Sequence, residues 1–174
     1  MNQKLPIVGY YGALAPWLDY ELISQAAKNN PKMNFVLIGV NYQNALSKLD
    51  TSIKNIYYLG PKNYTELPKY SSFFDCAIIP FSTGRIAKGT SPVKLFEYMA
   101  MGLPVVGTKD LKECEGYDYV YLAQDYDEFS KYIEQGIEEH KKEETREKLL
   151  EQGKQNSWQS RANDIKNALM KGEK

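Results

Sequence analysis

Ser91-Pro92-Val93-Lys94-Leu95-Phe96-Glu97-Tyr98-Met99-Ala100-Met101-Gly102-Leu103-Pro104-Val105-Val106 reads as a capped helix over residues 91–101, a Gly-Pro break, and a buried strand over 103–108. Ser91 is a good N-cap. Pro92 suits the first helical position, where its missing amide hydrogen is no loss, and Val93 and Lys94 follow with free amides that form an anion seat. At 100° steps, Val93, Leu95, Phe96, Met99 and Ala100 share a core-facing arc, and Glu97 falls at its margin beside Lys94 and Met101. Partial burial of Glu97 is therefore expected. It stands too far past Ser91 for a capping box, which needs its acid at the third helical position. Ser91 and Glu97 are separated by about 9 Å along the axis, the span from a diphosphate to the far edge of an attached ribose. The plainer alternative is a solvated acid pairing with Lys94, worth about 0.2–0.5 kcal/mol.

The charge pattern around this helix is uneven. From Cys76 to Lys109 the 34 positions hold one carboxylate, Glu97, although 22 of 174 residues are acidic. Arg85, Lys88, Lys94 and Lys109 lie in the same stretch. A basic, acid-poor segment at a helix start suits a small anionic ligand, with one acid kept for a specific contact.

Working outward, apolar strands alternate with helical stretches at the spacing of βα units. Strands are expected over 7–12, 34–39, 55–60, 75–81 and 103–108, with an edge strand over 119–123. Helical stretches are expected over 19–29, 41–49, 65–72, 91–101 and 127–136, and from residue 137 the chain turns strongly charged with helical spacing to its end. This predicts an α/β fold, a doubly wound, Rossmann-like parallel sheet in one domain spanning 1–174 with a helical C-terminal tail. In such sheets ligands collect at the carboxyl ends of the strands. Gly12, Gly39, Gly60, Gly84 and Gly89 cluster at that edge as turn residues that also let a ligand approach the backbone. Gly9 and Gly12 bracket a small loop able to admit a diphosphate or a sugar.

Composition narrows the classes. With 43% hydrophobic residues, 174 residues build one core of ordinary size. A formal net charge of zero without a Lys/Arg run removes the footprint of a nucleic-acid binder. No apolar run approaches the twenty residues of a membrane span and no signal peptide is evident, so a cytoplasmic location is expected, membrane-peripheral at most as part of a full enzyme. Cys76, in an expected buried strand, and Cys114, in a charged loop, read as free thiols rather than a metal set. His140, the single histidine, sits among charged residues and reads as a solvated helix face.

Lys88 to Val106 resembles the donor-binding signature of retaining GT-B glycosyltransferases, in the large family (group 1, GT4-like) whose C-terminal half carries two glutamates separated by seven residues. The resemblance extends through Tyr10-Tyr11-Gly12-Ala13 with Trp17 and Asp19, Asn34 to Gly39 and Asn55 to Gly60. Ser157-Trp158 with Arg161 and Ala162 looks like the family's closing helix. One departure matters: the first glutamate of the pair falls at Gly89, leaving only Glu97.

The resemblance implies half of a GT-B enzyme that binds a nucleoside-diphosphate sugar, transfers the sugar with retention, and needs neither metal nor cofactor. Glu97 inherits the ribose contact. Sugar contacts then come from the backbone around Gly89, Thr90 and Ser91, from a neighbouring side chain, or are absent, and the Val93 amide belongs to the anion seat at the helix start. Gly60 and Lys62 lie in the stretch that corresponds to base binding, and Tyr64 is placed to cover the base; Gly12 lies beside the diphosphate. A basic pair that the family often uses near the first strand is missing, so Arg85 and Lys88 are expected to stabilise the leaving group. Six residues precede the first expected strand. The acceptor-binding N-terminal domain is thus expected to be separate, either cut away or supplied by a partner subunit, and this chain inactive alone. A non-catalytic nucleotide-sugar-binding domain or subunit, a GT-B epimerase fragment, a phosphorylase and a plain interaction domain stay open, as do the base, sugar and acceptor.

Overall fold

The computed structural model describes residues 4–50 and 52–172. Six strands, β1 (Ile7–Tyr11), β2 (Asn34–Ile38), β3 (Ile56–Tyr58), β4 (Cys76–Ile79), β5 (Val105–Thr108) and β6 (Val120–Ala123), form one sheet in the order β3-β2-β1-β4-β5-β6. Every pairing is parallel, with Ile7 opposite Asn34 and Val8 opposite Cys76 where the order switches. The helices are α1 (Tyr20–Asn29), α2 (Leu67–Ser71), α3 (Arg85–Lys88), α4 (Val93–Met99), α5 (Tyr126–His140), α6 (Glu143–Gln155) and α7 (Trp158–Gly172).

The strands read as near-continuous apolar runs because parallel strands are covered on both faces. All residues of β1, β2, β4 and β5 are buried, whereas β3 and β6, at the sheet edges, are mostly half-exposed. Side-chain caps start the two long helices that pack together beside the sheet: Asp19 accepts from the Leu22 amide at α1, and Asp125 from the Glu128 amide at α5. Close helix packing relies on missing side chains. A Cβ at Gly153 of α6 would lie 2.6 Å from the Ala100 amide after α4, and one at Gly136 of α5 would lie 3.0 Å from Cys76 Sγ.

Several expectations are corrected. The helix expected over 41–49 is a 3-10 segment, Tyr42–Lys48, broken where Gln43 and Asn44 take left-handed backbone angles. The stretch 91–101 is helical only over Val93–Met99, and the helix expected over 127–136 is continuous with the start of the helical tail, as α5, up to His140. Cys114, expected in a charged loop, ends a short 3-10 turn over Lys112–Cys114 and is 1% exposed. His140 is not solvated; it is half-buried with Nδ1 3.1 Å from the Gly102 carbonyl, and burial lowers its pKa. Gly9 is a packing glycine rather than part of a ligand loop, because the Phe74 ring occupies the space its Cβ would need, at 2.0 Å.

Candidate functional site

The rotation of α4 is set by one buried hydroxyl. Tyr98 accepts a hydrogen bond from the Tyr11 amide at 3.0 Å, and the two rings meet edge to face with centroids 4.7 Å apart. A buried hydroxyl without a partner costs about 1–3 kcal/mol, so this bond ties α4 to the end of β1. The core face of α4 is Leu95, Tyr98 and Met99. The expected arc therefore needs correction: Val93 and Ala100 are exposed, and Phe96 is half-buried against Tyr117. Ser91 is likewise not the cap. Pro92 is, with extended backbone and no side-chain hydrogen bond, so the chain becomes helical only after the proline. Glu97 then lies about 7.5 Å along the axis from the cap.

With α4 so oriented, a cleft of ≈ 440 Å³ opens between the end of β1, the turn before α2 and the start of α4. It lies outside the carboxyl ends of β1 and β4, beside the switch in strand order, where open α/β sheets bind ligands. Gly12 ends β1 with φ +140°, donating to the Ile38 carbonyl, and Gly39 ends β2 with its Cα so close that a Cβ would sit 1.8 Å from the Gly12 carbonyl oxygen. On the far side Tyr64 donates to Glu97 Oε1 at 2.7 Å, bridging the cleft from the α2 turn to α4. Glu97 is half-buried, as its helical position predicted.

Burial and the neighbouring Glu97 raise the Tyr11 pKa, and the hydrogen bond to Glu97 raises that of Tyr64, so both phenols stay protonated at neutral pH. Burial lowers the pKa of Lys94, partly countered by Glu97. Its ammonium rests on two rings, 5.6 Å from the Tyr10 centroid and 5.8 Å from that of Phe81. Each such contact recovers about 0.5–2 kcal/mol.

Of the residues singled out from sequence, Gly12, Tyr64, Thr90, Ser91, Val93 and Glu97 line this cleft. Gly60, Lys62, Lys88 and Gly89 do not. Gly60 accepts from the Gly39 amide, Lys62 lies over the Tyr70 ring, and Lys88 is exposed with its ammonium 4.0 Å from Asp110. The Arg85 side chain lies outside the described residues. Tyr11, Leu67, Phe81, Pro92 and Lys94 complete the lining; none of their side chains was singled out, and Lys94 entered only through its amide and as one cation of the basic stretch. For Lys94 a signal existed: it stands one turn before Tyr98 in the acid-poor stretch, on the same side of the helix.

A hollow of ≈ 470 Å³ lies at the opposite edge, among Leu5, Lys28, Asn34 and Asn55 at the amino ends of the strands. That edge is not where such sheets bind ligands. Among the described residues no group of three His, Cys, Asp or Glu side chains is placed to hold a metal, and no helix is long and apolar enough to cross a membrane. Cys76 and Cys114 are both free and buried, and burial pushes the Cys114 thiol up to about 12.

Comparison with known proteins gives the same architecture. A protein of Bacillus subtilis (strain 168), TuaH, whose name carries a proposed glycosyltransferase role in teichuronic acid biosynthesis, is 30% identical over 125 residues, 69% of this chain and 32% of that protein. Among solved structures, Anabaena Alr3699/HepE in complex with UDP and glucose superposes with a TM-score of 0.70 at 19% identity, over 96% of this chain and 48% of that one. Sucrose-phosphate synthase from Thermosynechococcus elongatus superposes with a TM-score of 0.67 at 16% identity, over 98% and 46%. The chain thus spans about a third of the curated relative and just under half of these two structures, and the structural likeness establishes a GT-B type Rossmann-like fold. The model of the family described as glycosyl transferases group 1 matches residues 1–156, and the chain belongs to that family.

Proposed function

We propose that this chain binds the nucleoside-diphosphate sugar donor of a glycosyl transfer. The observation that carries the reading is Glu97: a half-buried carboxylate on α4, facing a cleft at the carboxyl edge of the sheet, in the acid-poor stretch. A carboxylate there accepts hydrogen bonds from two vicinal hydroxyls, the donor pattern of a ribose. Tyr64 occupies one of its oxygens and yields it to the ribose on binding. The phosphates lie toward Thr90, Ser91 and Val93.

In the proposed reaction the bond from the anomeric carbon to the diphosphate oxygen breaks, with both electrons passing to that oxygen. The acceptor hydroxyl oxygen bonds to the anomeric carbon and its proton passes to the departing diphosphate. Stabilising charge on that leaving group is the main service a rigid site offers. This chain's part is to hold the donor without metal or cofactor. The acceptor is held by an N-terminal domain or partner subunit, and the chain alone is inactive. The UDP bound to Anabaena Alr3699/HepE and the teichuronic acid pathway in the name of TuaH favour a uridine donor and a cell-surface polysaccharide as first choices to test. Gly89, outside the cleft and without a carboxylate, favours as second reading a nucleotide-sugar-binding subunit that performs no chemistry.

Titration calorimetry with UDP, GDP and ADP tests the reading. Glu97→Ala is expected to weaken the preferred nucleotide about tenfold, the size of one charge-assisted hydrogen bond, and to leave inorganic diphosphate nearly unchanged. Equal loss for both ligands places Glu97 away from the ribose, and no binding of any nucleotide removes the proposal.

A further inference from the structure

Lys94 differs from the other cations whose contacts define the surface. Lys28, Lys88, Lys112, Lys141, Lys142 and Lys148 are solvent-exposed, each with a carboxylate oxygen within 4.0 Å. Lys94 is half-buried, its ammonium makes no hydrogen bond or ion pair among the described residues, and only the faces of Tyr10 and Phe81 attend it. Glu97, the acid that influences it most, gives Oε1 to Tyr64. Withdrawing a cation from water without a counter-charge is costly, and two ring faces return only part of that cost.

The place of the ammonium gives the cost a purpose. It lies against Gly12 at the end of β1, where a Cβ would sit 3.0 Å from Lys94 Cε and 3.2 Å from Nζ. Thr90, Ser91 and Val93 line the same cleft, so the cation and the start of α4 border one space. Tyr98, anchored on the Tyr11 amide one turn further along, holds the stem on that side.

We infer that Lys94 is the group that binds the diphosphate, the role that sequence reading gave to Arg85 and Lys88. This rests on the nucleotide reading above and adds to it the residue that carries the counter-charge. The ammonium waits on its two rings and exchanges them for phosphate oxygens when the ligand enters. Lys88, outside the cleft beside Asp110, does not take part.

The test measures binding of UDP, GDP, ADP, inorganic diphosphate and the matching nucleosides to the wild type, Lys94→Met and Lys94→Arg, with circular dichroism confirming the fold. Lys94→Met is expected to lose ten- to hundredfold in affinity for the preferred nucleotide and for inorganic diphosphate, and nothing for the nucleoside; Lys94→Arg recovers part of the loss. A folded Lys94→Met that binds the nucleotide as the wild type does, or that loses nucleoside and nucleotide equally, overturns the inference while leaving the donor reading intact. A loss of that size at Lys88→Ala, with Lys94→Met unaffected, also overturns it. No binding of any compound to the wild type removes both. Should Lys94→Met not fold, lysine methylation of the wild type read by mass spectrometry decides: protection of Lys94 by inorganic diphosphate supports the assignment, and unchanged labelling refutes it.

Discussion

Charge is handled in opposite ways at the cleft and in the helical tail. On α5 and just after it, Lys141 meets Glu138 at 2.6 Å and Lys142 meets Glu139 at 2.8 Å, in pairs three residues apart with exposed ammonium groups. Such pairs form because water tolerates them, and they contribute little. At the cleft, Lys94 and Glu97 are both half-withdrawn from water, the lysine with no carboxylate in ion-pair reach among the described residues and the glutamate with a phenol as its hydrogen-bond partner. The difference teaches that function is read from charges the fold leaves uncompensated, not from where charges are dense. Residues 137–174 are the more charged region, yet the pairs seen among its described residues, such as Lys141 with Glu138, carry exposed ammonium groups and are mutually neutralised.

That contrast can be broken by removing the scaffold that enforces it. Gly39→Ala is expected to have the largest effect, because φ +147° strains the substituted residue and its Cβ collides with the Gly12 carbonyl. A loss of about 2–4 kcal/mol of stability, read from urea unfolding, follows from strain plus steric repair at one site. An unchanged midpoint means the two strand ends are not held against each other.

Proton linkage sharpens the cleft side. Burial lowers the Lys94 pKa from 10.5 in the free protein, and a bound diphosphate raises it again. Because the bound-state pKa is the higher, the Lys94 contribution to affinity is full below the free-state value and is lost progressively as pH rises from it through the bound-state value. The groups facing Lys94 are Tyr10 on β1, Phe81 after β4 and Glu97 on α4, with Tyr11 and Tyr64 beyond Glu97. The phenols among them have raised pKa values and stay protonated over this range, and phosphate ionises near 6, well below it. Nucleotide affinity is expected to fall severalfold as pH rises through the lowered Lys94 pKa, below the ordinary lysine range, in the wild type and to stay flat in Lys94→Met. Parallel decline in both proteins assigns the titration elsewhere.

The smallest effect belongs to the tail. Lys142→Ala breaks an exposed pair and is expected to leave both the urea midpoint and nucleotide affinity unchanged within error. A measurable loss of either makes the tail part of the site and erases the contrast.

Much of the architecture was legible because apolar runs in a parallel sheet are long, buried on both faces, and separated by cappable helices. In the structure Asp19 and Asp125 supply those caps at α1 and α5. What local pattern missed were competing local preferences and distant partners. Pro92 held the backbone extended and displaced the cap from Ser91, and Gln43 and Asn44 broke a segment whose spacing looked helical. Cys114 and His140 carry charged neighbours in sequence but are covered by other elements in space.

The amino-acid sequence by itself determined the βα order, the group 1 family and the placing of Glu97 on a half-buried helix face, since these follow from periodicity and residues close along the chain. Only the tertiary structure decided which cation lines the cleft. Lys88 and Lys94 belong to one basic stretch, and the Tyr98 hydroxyl on the Tyr11 amide turns the helix that carries Lys94 into the cleft while Lys88 stays at the surface near Asp110. The reason is that desolvation depends on what surrounds a charge in three dimensions, which no local spacing encodes.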